Sequence, residues 1–321
     1  MLLGFDIGGT KCAIILGEKE SEDDIKIIDK IITQTNRPVF EMIEHLFSEA
    51  EALLQKNNVG KNEISGIGIS CGGPLNSKTG TILSPPNLLG WDHIPIVKLA
   101  EEHFKIKTYL QNDANAGAIA EWKYGAGKGY NNLIFLTFGT GNGAGLILDG
   151  KLYSGTNDLA GESGHIRLAE MGPVGFGKAG SFEGFCSGGG IAQLAQMKVR
   201  EKLQMGERVS FCKHVNELEN ITARSVAEAA YAGDELAIDI YNICGFYLGR
   251  GLSVLIDILN PEIIILGGIY GRAKELLDTS MYKVINHEAL SLSFKSCKIT
   301  AAGLGEKIGD MAALSLTSIT S

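Results

Sequence analysis

Two glycine turns in the sequence each follow a short apolar run and have the composition of a phosphate site. The first glycine turn is Gly8-Gly9-Thr10, after LLGFDI, and the second is GTGNGAG (139–145), after NLIFLTF. Backbone N–H groups in such a turn converge on an anion, and no Cβ atom obstructs its approach. Either turn alone could be a structural hairpin turn. Their recurrence about 130 residues apart, with threonines similarly placed, favours a polyphosphate site shared by two domains.

Two aspartates follow or end predicted strands, where carboxylates could serve phosphate chemistry. Asp6 ends the first apolar run and could orient a hydrated Mg²⁺ that bridges phosphate oxygens. Asn112-Asp113 lies between the predicted strand KTYLQ and a predicted helix, so both residues could simply cap that helix. Asp113 could also accept a proton from a substrate hydroxyl as it attacks a γ-phosphate. The two roles are compatible.

The segment GESGHIRLAEMGPVGFGKAGSFE (161–183) combines carboxylates with an imidazole. Glu162, His165 and Glu183, together with the Asn112 amide, suit a polyol, whose hydroxyls each need a donor and an acceptor. A structural zinc site needs four nitrogen or sulfur ligands, and only His165 and Cys186 are available nearby. A metal site is therefore the least favoured interpretation, whereas a polyol site and a solvated loop both remain open from this segment alone.

Composition limits the classes of protein to consider. The net charge of −8 argues against a nucleic-acid surface, which needs clustered Lys and Arg. None of the six cysteines forms a C-x-x-C pair, and the N-terminus lacks the pattern of a signal peptide. The apolar stretch 251–269 is interrupted by Asp257, Asn260, Pro261 and Glu262, so we expect no membrane span. These features predict a cytoplasmic protein with reduced cysteines.

Alternating strand and helix patterns must position these residues. Apolar runs that end in glycine alternate with helical periodicity along the chain, which predicts an α/β fold. Helices are predicted at 39–56, 188–204, 223–231 and 233–258, with another at 310–316, and EIIILGGI (262–269) is predicted to be a strand. At 321 residues, the chain has room for two domains, with a boundary soon after Asp113.

Several of these motifs together resemble the ROK family of sugar kinases and repressors. The segments that match, in order, are LLGFDIGGTK, NDANA, TFGTGNGAG, AGESGH and NPEIIILGGI, and LGEKIGDMAAL matches more loosely. The resemblance implies an actin/hexokinase-like ATPase fold of the ribonuclease H-like type, with two α/β domains around a cleft. It implies a small domain over 1–115, joined by a C-terminal helix at about 307–321, and a larger domain over 116–306.

The same resemblance implies an ATP-dependent kinase that phosphorylates the C6 hydroxyl of a hexose, in the manner of a glucokinase. It assigns Asp113 as the general base and Asp6 as the residue that organises Mg²⁺ through water. The implied sugar ligands are Asn87, Asn112, Asp113, Glu162, His165 and Glu183. The implied nucleotide contacts are Asp6, Gly8, Gly9, Thr10, Lys11, Thr140, Gly141, Gly267 and Gly268.

ATP and Mg²⁺ are the implied cofactors, and the resemblance also implies a homodimer, with no nucleic-acid or membrane partner.

The resemblance leaves several functions open. N-acetylmannosamine kinases and fructokinases share these motifs, because pocket shape decides which sugar is accepted. A sugar-binding protein of the family that has lost catalysis is an alternative of another class. A repressor is expected to carry an N-terminal winged helix-turn-helix before the first turn, whereas this acidic chain starts directly on the hairpin.

One departure from the family pattern concerns zinc. The usual motif after the histidine is C-x-C-G-x-x-G-C-x-E, and its three cysteines are replaced here by Val174, Phe176 and Ser181. Glu183 keeps the place of the final glutamate. We therefore expect zinc to be absent. We also expect apolar packing by Val174, Phe176, Phe182 and Phe185 to hold the loop in its place, since each buried side chain contributes about 1.5–3 kcal/mol.

Overall fold

The computed structural model describes residues 1–21 and 24–318, which form two compact units. Unit 1 comprises Met1–Asn131, Gly145–Ala160 and Gly303–Ser321, and unit 2 comprises Asn132–Ala144 and Gly161–Ala302. The domain boundary placed at 115/116 from the sequence stays a prediction. The sequence predicts a C-terminal helix at about 307–321, and the last three residues of that range, 319–321, lie outside the described residues.

Strands and helices alternate along the described chain, as the α/β prediction requires. The strands are β1 Leu2–Ile7, β2 Lys11–Ser21, β3 Asp24–Gln34, β4 Ile67–Cys71, β5 Leu75–Asn76, β6 Thr81–Ile82, β7 Thr108–Asn112, β8 Leu133–Leu136, β9 Ala144–Leu148, β10 Lys151–Leu152, β11 Val174–Gly175, β12 Lys178–Ala179, β13 Ile263–Leu266 and β14 Lys298–Ala301. The helices are α1 Val39–Lys56, α2 Ile96–Phe104, α3 Asp113–Tyr124, α4 Phe182–Phe185, α5 Gly188–Gln204, α6 Ala223–Tyr231, α7 Glu235–Leu259, α8 Ile269–Glu288, α9 Ser291–Ser296 and α10 Ile308–Ser315.

Unit 1 is built on a five-stranded sheet in the order β3-β2-β1-β4-β7. β1, β2 and β3 are antiparallel neighbours, whereas β1, β4 and β7 run parallel. Ile7 is in register with Cys71, and Cys71 with Asn112. The carboxyl ends of three parallel strands therefore meet at one edge of the sheet, which is where an open α/β sheet places its ligands.

The core of unit 1 explains why its apolar runs form these strands and helices. The apolar side chains that β1, β2 and β4 contribute to this core are almost fully buried. They pack with residues of α1 and α2 that include Met42, Leu46 and Phe104. α10 also belongs to this unit and buries Met311 and Leu314 in a second cluster. The C-terminal helix is thus held to unit 1 by apolar burial, the dominant favourable term in folding.

In unit 2, β8, β13 and β14 form parallel neighbours, with Leu266 in register with both Leu136 and Ala301. α7 packs along α8 and buries residues that include Ile240, Leu248 and Leu252. α7 is long and apolar enough to cross a membrane by length and composition, but half of its most apolar window is buried in the protein. We interpret α7 as a core helix.

Many local predictions are confirmed. α1, α5 and α6 have the predicted bounds, and both glycine turns join adjacent strands along the chain. The strand predicted over 262–269 ends at Leu266, because Gly268 adopts φ +56° and α8 begins at Ile269. The sequence patterns used above did not reveal β3 or the long helix α8.

Candidate functional site

The first glycine turn is a tight connection between β1 and β2 in unit 1. Ile7 pairs with Cys12, and the Gly8 N–H donates to the Lys11 carbonyl at 3.2 Å. The Thr35 hydroxyl donates to the Gly8 carbonyl at 2.7 Å, so a side chain from the end of β3 braces the turn. These bonds give the turn a fixed backbone, which preorganises it for a ligand.

Asn87, a predicted sugar ligand, lies directly against the first glycine turn. A Cβ atom on Gly9 would fall 2.2 Å from the Asn87 carbonyl oxygen, so only glycine permits this approach. Within unit 1 the structure therefore brings a predicted phosphate turn together with a predicted sugar ligand.

Asp6 lies beside two other carboxylates, those of Asp113 and Asp310. Burial is the main cause that raises the pKa of Asp6 to about 6, and the charges of Asp113 and Asp310 raise it further. Lys11 and Lys30 oppose this rise, and Lys30 forms an ion pair with Asp310 at 2.8 Å. Sequence reasoning missed Asp310 and Lys30, because nothing local connects residues 280 positions apart.

Asn112 and Asp113 occupy the junction of β7 and α3. The Asn112 side chain accepts a hydrogen bond from the Asn115 N–H at 2.7 Å, which confirms the helix-cap interpretation. Asp113 is the first residue of α3 and accepts from the Ala114 N–H at 2.8 Å. Asp113 is exposed to solvent. The surrounding protein nevertheless limits the hydration of its carboxylate and so raises its pKa, whereas the hydrogen bond from Ala114 lowers that pKa in part. An accessible carboxylate of raised pKa suits proton transfer.

The second glycine turn, in unit 2, is closed by its own backbone and by Thr137. The Thr137 N–H donates to the Gly143 carbonyl at 2.9 Å, and the Thr137 hydroxyl accepts from the Gly143 N–H at 3.0 Å. The Gly139 N–H donates to the Gly141 carbonyl, and the Gly188 N–H donates to the Gly139 carbonyl at 2.8 Å. The start of α5 therefore supports the turn that carries Thr140.

Glu183 connects the second glycine turn with the predicted sugar loop. Its Oε2 accepts from the Asn142 N–H at 3.0 Å, and the neighbouring Gly141 lies close to the same oxygen. Glu183 is held in place by α4, whose N-terminus is capped by the buried Ser181 hydroxyl, an acceptor for the Gly184 N–H at 3.1 Å. Ser181 thus acts as a helix cap at a position where the family pattern has cysteine.

Gly267 and Gly268 also lie against the second glycine turn. The Gly267 N–H donates to the Leu136 carbonyl at 2.8 Å, and the Ile269 N–H donates to the Phe138 carbonyl at 2.8 Å. A Cβ atom on Gly268 would lie 2.2 Å from the Phe138 oxygen, and its φ of +56° is one that side chains rarely adopt. This close approach requires glycine.

Glu162 precedes a single 3₁₀ turn, Ser163–His165, and His165 is its last residue. The His165 N–H donates to the Glu162 carbonyl at 3.1 Å, and Gly164 packs against the Asn142 carbonyl. The His165 ring meets the Phe176 ring edge to face, with centroids 5.4 Å apart. Glu162, His165 and Glu183 are therefore brought to the same part of unit 2 as the second glycine turn.

A short β-hairpin, β11 and β12, occupies the place of the family's zinc loop. The expectation that Val174 and Phe176 fill its interior is wrong, because their side chains are 47% and 65% exposed. Phe176 and Gly177 have φ values of +40° and +76° and form the tight turn, so the Phe176 side chain projects outward. Phe182 and Phe185 are buried as expected.

Hydrogen bonds, rather than apolar packing at its tip, hold this hairpin. The Gln193 side chain donates to the Val174 carbonyl at 2.9 Å and accepts from the Val174 N–H at 3.0 Å. Lys178 donates to the His165 carbonyl at 2.7 Å. Valine and phenylalanine offer no metal-binding atom, so the residues here do not fit a zinc site. Over residues 1–21 and 24–318, no group of three or more His, Cys, Asp or Glu side chains could hold a metal.

The ROK family matches residues 2–319. The chain belongs to the ROK family. A glucokinase of Halalkalibacterium halodurans is 30% identical over 311 residues, which cover 96% of this chain and 92% of that protein. A xylose repressor of Caldicellulosiruptor bescii is 30% identical over 267 residues, covering 83% of this chain and 65% of the repressor.

A solved structure also resembles the chain over nearly its whole length. It is a ROK family glucokinase from Streptomyces griseus in complex with glucose and AMPPNP, with a TM-score of 0.77 and 27% identity, and the match covers 98% of each chain. The actin/hexokinase-like ATPase fold expected from the sequence is thereby confirmed.

Proposed function

We propose that this ROK protein is an ATP-dependent sugar kinase that phosphorylates the C6 hydroxyl of a hexose, with Asp113 as the general base. The observation that carries the proposal is the position of Asp113 at the start of α3. Its accessible carboxylate has a raised pKa and acts electrostatically on Asp6, which ends β1 immediately before the first glycine turn. The similarity to glucokinases over almost the full chain supports the same activity.

Six side chains are the proposed hydrogen-bonding partners of the sugar. In unit 1 the ligands are Asn87, Asn112 and Asp113, and in unit 2 they are Glu162, His165 and Glu183. Carboxylates accept from sugar hydroxyls, whereas the amides and the imidazole can both donate and accept. Asn112 keeps an amide N–H₂ group for this purpose, because its cap uses only the side-chain oxygen.

The nucleotide phosphates would approach the glycine turns. The proposed contacts are Gly8, Gly9, Thr10, Lys11, Thr140 and Gly141, with Gly267 and Gly268 near the adenosine. Lys11 would add a positive charge to the backbone N–H groups of the first turn. Phosphoryl transfer passes through a loose transition state, so positioning and charge neutralisation contribute most of the rate. Asp113 would orient the attacking oxygen and accept its proton late.

We propose that Asp6, together with the substrate phosphates, takes part in holding a hydrated Mg²⁺. Burial, and then the charges of Asp113 and Asp310, raise the pKa of Asp6, and a cation beside its carboxylate would lower that pKa. Mg²⁺ usually keeps several waters and takes one or two carboxylates together with substrate phosphates. When bound, it would neutralise charge on the transferred phosphate. Asp6 would hold it through water, and Lys30 keeps Asp310 paired beside it.

An ADP-coupled assay over a panel of hexoses and N-acylhexosamines tests the proposal. We expect ADP release with glucose or a close relative, and we expect Asp113→Asn to lower kcat about 10²- to 10⁴-fold while sugar binding persists. Asp24→Asn, at an exposed position on β3, is the matched control and should keep wild-type turnover. Wild-type turnover in Asp113→Asn would remove Asp113 from its role. The same panel separates a glucokinase from an N-acetylmannosamine kinase or a fructokinase.

The similarity to a xylose repressor favours one second candidate, a sugar-binding protein without catalysis. Sugar binding measured by calorimetry, without ADP release for any sugar in the panel, would support it.

A homodimer and a cytoplasmic location are further proposals. Light scattering of the purified protein tests the first, and fractionation of cells that express it tests the second.

A further inference from the structure

The hairpin of residues 174–179 carries an aromatic side chain at an unusual backbone conformation. Phe176 has a φ of +40°, in the left-handed region where a bulky side chain is disfavoured. Glycine would occupy this position without strain, and Gly177 beside it does so. Strained positions of this kind cluster at ligand sites, where the surrounding structure maintains them.

The same hairpin contacts two of the proposed sugar ligands. The Phe176 ring lies 5.4 Å from the His165 ring, at an interplanar angle of 80°. One residue earlier, a Cβ atom on Gly175 would lie 2.8 Å from the Glu183 Cβ atom, so the hairpin backbone packs directly on Glu183. The ring of Phe176 is therefore placed next to the His165 imidazole, on a hairpin whose backbone packs on Glu183.

The hairpin is braced so that this ring has a defined position. Gln193 bonds both the N–H and the carbonyl of Val174, and the Gly180 N–H donates to the Pro173 carbonyl at 3.0 Å. Lys178 ties the other strand to the His165 carbonyl. The side chain of Phe176 is nevertheless 65% exposed, so most of its surface is open to a ligand.

We propose that Phe176 is a specificity-determining residue that packs against the C–H face of the bound hexose beside His165. This inference rests on the proposed sugar-kinase function. A rigid aromatic side chain supplies a large apolar contact at a low cost in conformational entropy. A hexopyranose whose hydroxyls are equatorial presents such a C–H face, whereas an axial hydroxyl would place a polar group against the ring without a partner. The preferred substrates are hexoses of the equatorial, glucose-like class.

Replacement of Phe176 by glycine gives a sharp test, because it removes the ring and relieves the backbone together. We expect Phe176→Gly to keep or raise the Tm, and to raise the KM for glucose about three- to tenfold with kcat unchanged. We also expect the preference for glucose over mannose and galactose, which carry axial hydroxyls, to fall by a similar factor. Phe176→Tyr should restore both values. Val174→Ala, on the same hairpin and partly exposed, is the matched control and should behave as wild type.

The outcomes separate this inference from the proposed function. A wild-type KM and an unchanged preference among hexoses in Phe176→Gly would overturn the role of Phe176 while leaving the kinase in place. A parallel fall in Tm and affinity that Phe176→Tyr does not rescue would also overturn it, because it would show that the ring only supports the fold. Wild-type protein that neither binds glucose in calorimetry nor releases ADP with any hexose would contradict the proposed function, and this inference with it.

Discussion

Glu183 accepts a hydrogen bond from the backbone N–H of Asn142, with 3.0 Å between Oε2 and N. Asn142 belongs to the second glycine turn, and Glu183 follows the hairpin of residues 174–179 on α4. A single carboxylate therefore supports a proposed phosphate turn and also belongs to the proposed sugar site. A change in Glu183 should affect both ligands.

Two substitutions of Glu183 should have different effects. Glu183→Ala removes the acceptor for Asn142, so we expect the KM values for both sugar and ATP to rise about tenfold or more, as for loss of a hydrogen bond to a charged group. Glu183→Gln keeps an acceptor oxygen and should raise only the sugar KM. Steady-state kinetics with each substrate varied in turn measures both values. Glu170→Ala, at an exposed position, is the control. An unchanged ATP KM in Glu183→Ala would contradict the shared role.

Activity should depend on pH through Asp6. Its pKa is about 6, above the ordinary value of 3.8, and the ionised form is the one that can attract a cation. We expect kcat/KM at low Mg²⁺ to rise with pH through about 6. Asp310→Asn removes a nearby negative charge, so the rise in kcat/KM should occur at a lower pH in this variant. Because the pKa is raised in the folded state, ionisation of Asp6 also removes folding stability as the pH rises from 3.8 to about 6.

A pH–rate profile of wild type and Asp310→Asn checks this prediction. Urea unfolding across the same pH range tests the stability component separately. A rise in kcat/KM near pH 4 in the wild type would contradict the electrostatic interpretation. A rise at a higher pH in Asp310→Asn than in the wild type would also contradict it.

Gly268 and Gly271 form a matched pair for testing the end of β13. Gly268→Ala would force a Cβ atom to within 2.2 Å of the Phe138 oxygen at a φ of +56°, so we expect a loss of about 1–3 kcal/mol in unfolding free energy and a higher ATP KM. A Cβ atom on Gly271, within α8, meets open space, and Gly271→Ala should stabilise the protein by about 0.5–1 kcal/mol. Urea unfolding and ATP titration measure both variants. Equal unfolding free energies for Gly268→Ala and Gly271→Ala would show that the close approach of Gly268 to the Phe138 oxygen does not require glycine.

The loop that replaces the family's zinc site should fold without metal. We expect elemental analysis of the purified protein to find no stoichiometric zinc, and EDTA to leave the Tm unchanged. Gln193→Ala should lower the unfolding free energy by about 0.5–1.5 kcal/mol, since Gln193 bonds both polar groups of Val174. Gln196→Ala, on the same helix, is the control. One tightly bound zinc per chain would show that hydrogen bonds have not replaced the metal.

Local features of the fold and of the site could be predicted from the sequence. Both glycine turns, the Asn112 cap and the bounds of α1 depend on residues close together in the chain. Glycine permits tight turns, asparagine caps helices and apolar periodicity identifies buried faces, whatever the distant surroundings are. The candidate site residues in the two glycine turns and in segment 161–183 were also selected from residue types that lie close together in the chain.

Other relationships were decided only by tertiary structure. Asp310 pairs with Lys30 near Asp6 because α10 packs on the sheet of unit 1, far from β3 in sequence. Phe176 was expected inside the loop. Instead, Phe176 and Gly177 have positive φ values and form the turn of a hairpin, and the exposed Phe176 ring contacts the His165 ring. The sequence alone therefore determined which chemical groups are present and which local turns carry them. Packing between distant segments decided which groups meet, because burial and hydrogen bonding act on neighbours in space.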